Sequence, residues 1–110
     1  MSSAVYSSSA SLEHAPVDAA KAVSGAPTTG FLALGSSETL NFGLWEHSAA
    51  ISTDTEVEEI FVILAGKGRI HLADGTVLEL APGTVGTLKK GEETRWEIDE
   101  PLKKVWIMPK

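Results

Sequence analysis

The sequence predicts an all-β domain, a sandwich or a barrel. Two observations carry this. From Thr28 onward, short apolar segments recur between turn residues at regular spacing. No stretch shows the long 3.6-residue periodicity of an amphipathic helix. At 110 residues and 43% apolar content, the chain has the size and composition of one folded domain. A chain of this size buries roughly 60–70% of its unfolded surface.

The elements follow in order. Residues 1–16 read as a flexible tail, because Ser2, Ser3, Ser7, Ser8, Ser9 and Ser11 crowd a segment with few large apolar groups. Such a segment buries too little surface to offset its ordering entropy. An arm that orders against a partner subunit is the alternative. Val17 to Val23 is long enough for one helical turn, stopped by Gly25 and Pro27. Phe31–Leu34 and Leu40–His47 are the first strand candidates. Glu56 and Glu58 are expected to face solvent, since the segment before Ile60 looks loop-like. Ile60–Leu64 is a continuous apolar run, as expected for a strand covered on both faces. Gly66-Lys67-Gly68 is expected to turn the chain. Arg69–Leu72 alternates and leads to Asp74-Gly75, which suits a two-residue hairpin turn with φ > 0. Thr76–Leu80, Thr84–Leu88 and Thr94–Ile98 follow, separated by Pro82-Gly83 and Lys89-Lys90-Gly91. Pro101 is expected to break the chain before a last strand, Lys103–Met108.

Composition excludes several function classes. There is no cysteine, hence no disulfide, thiol nucleophile or thiolate metal site. A reducing cytoplasmic setting fits this. The net charge of −6 disfavours a phosphate backbone, so no nucleic-acid partner is expected. The apolar run Ile60–Ala65 is too short to span a bilayer, and no signal peptide is expected from the first twenty residues.

Four segments carry a more specific signal. Glu59 is followed after six residues by Gly66. Pro82-Gly83 is followed after five by Lys89-Lys90-Gly91. Gly43-Leu44-Trp45-Glu46 and the run from Trp96 to Lys104 complete the series. In this order they resemble the small single-domain cupins grouped with the cupin domain of (S)-ureidoglycine aminohydrolase. The resemblance covers about Val17 to Met108. It implies a double-stranded β-helix, or jelly-roll barrel, over residues 17–110, with a pocket at one end.

In metal-binding cupins that pocket holds a divalent ion on two histidines and a glutamate from the first motif and a histidine from the second. Carried over, the histidine positions fall at Thr53, Thr55 and Thr94, and the glutamate at Glu59. A neutral hydroxyl is a poor transition-metal ligand. No metal or other cofactor is therefore expected, a divalent ion being the alternative.

The motif would aim Glu59 into the barrel, where burial favours a raised pKa and acid–base work. Thr94 and Trp96 share a face by the two-residue period, so an inward Thr94 brings Trp96 to the pocket. Trp45 and His47 share a face likewise. His47 is a candidate acid, base or displaced ligand, against a hydrogen-bonded structural role. His71 and Arg69 are expected outside, and Lys89-Lys90 and Lys103-Lys104 are read as exposed charges.

The resulting expectation is a small-molecule-binding domain with Glu59 as its catalytic group. Trp45, His47, Thr53, Thr55, Thr94 and Trp96 would line a site for a small polar metabolite. The alternatives are a metal-dependent aminohydrolase-type enzyme and a non-catalytic structural or regulatory dimer. A homodimer is expected because β-rich domains need their edges covered.

Overall fold

In a computed structural model, which describes residues 3–110, nine strands and no helix are present. Met1 and Ser2 of the expected tail lie outside the described residues. The strands are β1 Ala15–Pro16, β2 Ala22–Ser24, β3 Thr28–Ser36, β4 Leu40–His47, β5 Ile51–Thr55, β6 Glu59–Leu72, β7 Val77–Leu80, β8 Val85–Leu88 and β9 Glu93–Pro109. All pairings are antiparallel, in the order β1-β3-β4-β9-β5-β2, with β6 joining β9 to β7 and β8. The two longest strands close the barrel. The first half of β9 pairs with β5 and with the end of β6, and its second half pairs with β4 and the start of β6. The fold is an all-β jelly-roll barrel.

The length of β6 and β9 departs from the sequence reading. Gly66-Lys67-Gly68 makes no turn. It forms a run of register shifts between Ala65 and Gly68 inside β6. Gly66 takes φ 93°, and a Cβ there would lie 2.2 Å from the Pro101 carbonyl oxygen. Only glycine admits both the backbone angle and the close approach. Pro101 lies opposite this irregularity, where the ladder asks no N–H of it, so β9 runs through it. The Asp74-Gly75 turn is also longer than expected. The Leu72 N–H donates to Thr76 O (2.9 Å), and of the loop residues between them only Gly75 has positive φ. This suits a three-residue loop ending in a left-handed glycine.

Side-chain phase sets the core. Phe61, Ile63, Ile70, Leu80, Leu88, Trp96, Ile98 and Leu102 form the buried cluster. The run from Ile60 to Leu64 is not covered on both faces: Phe61 and Ile63 are buried, while Ile60 is 46% exposed on the outer face. Ile51–Thr55, within the segment read as a loop, is a strand because β9 supplies its partner residues.

The N-terminal segment packs on the outer face of β3 and β4. Ala15 and Pro16 pair with Thr29 and Thr28, so the strand system starts before residue 17. Tyr6 meets Phe42 edge-on at 5.0 Å, and Lys103 donates to the Ala10 carbonyl (2.7 Å). His14 bridges Thr28 Oγ1 (2.9 Å) and Glu46 Oε1 (2.8 Å). Asp18 O then accepts from the N–H groups of both Lys21 and Ala22, closing a single turn before β2.

Candidate functional site

A cavity of about 380 Å³ opens at one end of the barrel. Its floor and walls follow from the two-residue period of β9 and β6. Leu102, Lys104 and Trp106 alternate inward along the second half of β9, as Thr94, Trp96 and Ile98 do along the first. Glu59, Phe61 and Ile63 do the same along β6. Trp45 reaches the cavity from β4, opposite Lys104 in the ladder.

Lys104 is the largest departure from the sequence reading. It is 4% exposed, not a surface charge. Its ammonium forms an ion pair with Glu59 Oε2, and Glu59 is itself 5% exposed. The same ammonium lies 4.7 Å from the ring centroids of both Trp45 and Trp96, and 5.4 Å from that of Phe61. Ring faces and a carboxylate together replace the hydration that burial removes.

Glu56 is the second departure. It lies just past β5, but its backbone is tied to the turn before β9, with its N–H on Glu92 O (2.9 Å) and its carbonyl accepting from the Gly91 N–H (2.8 Å). This turns the side chain inward, where it is 9% exposed. Its Oε2 accepts from Thr94 Oγ1 (2.8 Å) and from the Trp96 indole N–H (3.0 Å). Burial pushes this carboxyl above its ordinary value. The Thr94 and Trp96 hydrogen bonds and the charge of Lys104 oppose that shift without cancelling it. Glu58 is exposed.

The remaining sequence candidates fall into three groups. Thr94 and Trp96 are buried beside Glu56 and hydrogen-bond it, and Trp96 and Trp45 line the cavity. Thr53 and Thr55 reach the cavity, but the β5 residues that pair with Trp96 and Thr94 are Ser52 and Asp54. The Thr53 hydroxyl turns to Lys21 O (3.4 Å) and the Thr55 hydroxyl to Glu93 Oε1 (2.8 Å). His47 is fully buried behind Trp45 and is not a cavity-lining residue. Its Nδ1 donates to Ser48 O (2.6 Å), since a carbonyl can only accept, which leaves Nε2 to accept from the Ser52 hydroxyl (2.8 Å). Burial holds its pKa below the ordinary histidine value. Outside the barrel, Arg69 pairs with Glu97 and Asp99, and His71 with Glu97.

These residues do not fit a cupin metal. Among the described residues no three His, Cys, Asp or Glu side chains gather as a ligand group. The surviving glutamate position already holds an ammonium. A divalent ion at Glu59 would meet the positive charge of Lys104 at contact range.

Barrel topology and inward-facing motif residues define the class, a cupin. Residues 34–106 match the EutQ-like cupin domain, and the chain belongs to that family. The EutQ protein of Clostridium difficile is similar in structure, with a TM-score of 0.68 at 16% identity over 86% of this chain and 80% of that one. A protein of unknown function from Pseudomonas syringae pv. tomato, assigned to the DUF861 family, gives 0.76 at 19% identity over 90% of this chain and 44% of its own. Ectoine synthase from P. lautus gives 0.61 at 16% identity, covering 84% and 66%. At these identities the likeness is one of fold. No curated protein matches in sequence.

Proposed function

We propose that this cupin binds a small polar metabolite in the barrel cavity without a metal, and that Glu56 is the group that exchanges a proton with it. One observation carries this reading. Both donors to Glu56 converge on Oε2, and among the described residues Oε1 accepts no hydrogen bond although the carboxyl lines the cavity. A carboxyl raised by burial, with one oxygen held by neutral donors and the other free among the described residues, suits proton exchange with a bound ligand. Glu59 is placed differently. Its charge is matched by Lys104, so its role is to anchor that ammonium and give the cavity floor a fixed dipole.

The experiment is a thermal-shift screen of polar metabolites against wild type, Glu56→Gln and Glu59→Gln. A metabolite that stabilises wild type and loses its effect in Glu56→Gln supports the reading. A hit that stabilises all three proteins equally contradicts it. The aminohydrolase-type alternative requires a metal, and stoichiometric tight Mn, Ni or Zn in the purified protein would restore it. The homodimer is likewise part of this proposal. Ile60 and Val85, 46% and 67% exposed on the outer face of β6 and β8, are what a second copy would cover.

A further inference from the structure

The charges around the cavity do not balance, and the imbalance has a sign. Four carboxylates line it, from Asp18, Asp54, Glu56 and Glu59, against two ammoniums, from Lys21 and Lys104. Both ammoniums are committed: Lys21 to Asp54 at 3.0 Å, Lys104 to Glu59. Among the described residues, Glu56 and Asp18 have no ion-pair partner. Asp18 Oδ1 meets only the Ala20 N–H, at 3.4 Å. Lys104 cannot turn to an anionic ligand without leaving Glu59 charged and bare in the core.

The apolar part of the wall is aromatic. Phe31 stacks on Trp106 with centroids 4.9 Å apart and planes within 12°, and Trp45 is the ladder partner of Phe31 on the same wall. Indole faces attract cations and stack on planar groups. Waters occupy about 30 Å³ each in the liquid, so 380 Å³ holds on the order of a dozen water-sized groups.

Building on the binding reading above, we propose that the cavity selects a small organic cation, an amine or a guanidinium-like group on a compact or planar body. Glu56 Oε1 accepts from its N–H groups, Asp18 draws it in at the mouth, and the Trp45, Phe31 and Trp106 rings hold the body. A carboxylate or phosphate ligand would meet two unpaired acidic groups and no uncommitted lysine.

The test uses three probes that share one ring and differ in charge: benzylammonium, benzyl alcohol and benzoate. Each is titrated into the intact protein, with the indole N–H signals of Trp45 and Trp96 followed by NMR. The expected order is cation, then alcohol, then anion, with benzylammonium about tenfold tighter than benzoate, the scale of one desolvated cation–π or charge contact. That preference should fall in Glu56→Gln. It should also weaken in Asp18→Asn, a rim substitution that leaves the core intact and serves if Glu56→Gln does not fold. Benzoate binding as tightly as benzylammonium would overturn the charge preference while leaving the cavity as a binding site. A preference unchanged in the variants would overturn the assignment to Glu56 and Asp18. Indole signals that respond to none of the three would overturn the binding reading itself, and this inference with it.

Discussion

Replacing Lys104 with methionine keeps most of the side-chain volume and removes the charge, so it isolates the ion pair with Glu59. With Glu59 5% exposed, the carboxylate left behind has almost no water to replace its partner. Removing one member of a buried pair costs about 3–5 kcal/mol. The ring faces of Trp45 and Trp96, both 4.7 Å from the ammonium, fit the upper part of that range, because desolvated cation–π contacts reach about 2 kcal/mol. Domains are stable by only about 5–15 kcal/mol, so the single variant should lose a large share of its stability. Replacing both residues, as Lys104→Met with Glu59→Met, removes the orphaned charge. Apolar replacement of a whole buried pair is often neutral or stabilising. The double variant should therefore recover to within about 1.5 kcal/mol of wild type, the scale of a well-tolerated core swap. Urea denaturation followed by tryptophan fluorescence measures wild type, Lys104→Met, Glu59→Met and the double variant, and two of the three tryptophans lie against the Lys104 ammonium. A Lys104→Met loss below about 1 kcal/mol, the ceiling for exposed pairs, would refute the reasoning. So would a double variant no more stable than the worse single one.

Three further outcomes follow from the same structure. His47 has a folded-state pKa below its ordinary value, so the unfolded state binds its proton first as pH falls. Stability should be fully present above about pH 6.5 and should decline below it, and His47→Gln should flatten that part of a pH–melting curve. Gly66→Ala forces a Cβ into the Pro101 carbonyl at a backbone angle that L side chains avoid. A loss of at least about 1–3 kcal/mol in chemical denaturation is expected, and a neutral result would contradict the bulge geometry. Trp96→Phe keeps a ring but deletes the indole donor that holds the Glu56 carboxylate. The Glu56 carboxyl should then titrate higher than in wild type, and an equal or lower value would show that the indole bond does not set it.

Much of the fold was legible because local chemistry wrote it. Leu40–His47 begins and ends where the strand does, and Gly75, Gly83 and Gly91 supply the left-handed turns between strands. The continuity of β6 and β9 was not legible. Gly66 and Pro101 each signal a break alone. They are compatible with long strands only because each faces the other's irregularity, a relation that belongs to the tertiary ladder.

The site divides along a similar line. The position of Glu59 could be read from its motif, and its partner could not, although a signal for the partner was present. Leu102 and Trp106 are large apolar residues four apart in one strand, and the two-residue period puts Lys104 on their buried face. Treating Lys103-Lys104 as a charged doublet hid that phase. Glu56 carried a fainter signal: a buried Trp96 indole N–H needs an acceptor, and a nearby carboxylate is the strongest available. Thr53 and Thr55 line the cavity as their motif positions suggest. That their hydroxyls turn to Lys21 O and Glu93 depends on the register β9 imposes, which motif positions do not carry.

The most direct test is a carbon-13 NMR titration of the Glu56 carboxyl in the intact protein, repeated with a cavity ligand bound. A carboxyl that titrates clearly above the ordinary glutamate value of 4.5, and whose resonance moves on ligand binding, is the expected result. A carboxyl that titrates at or below that value and ignores the ligand would contradict Glu56 as the proton-exchanging group of this cupin.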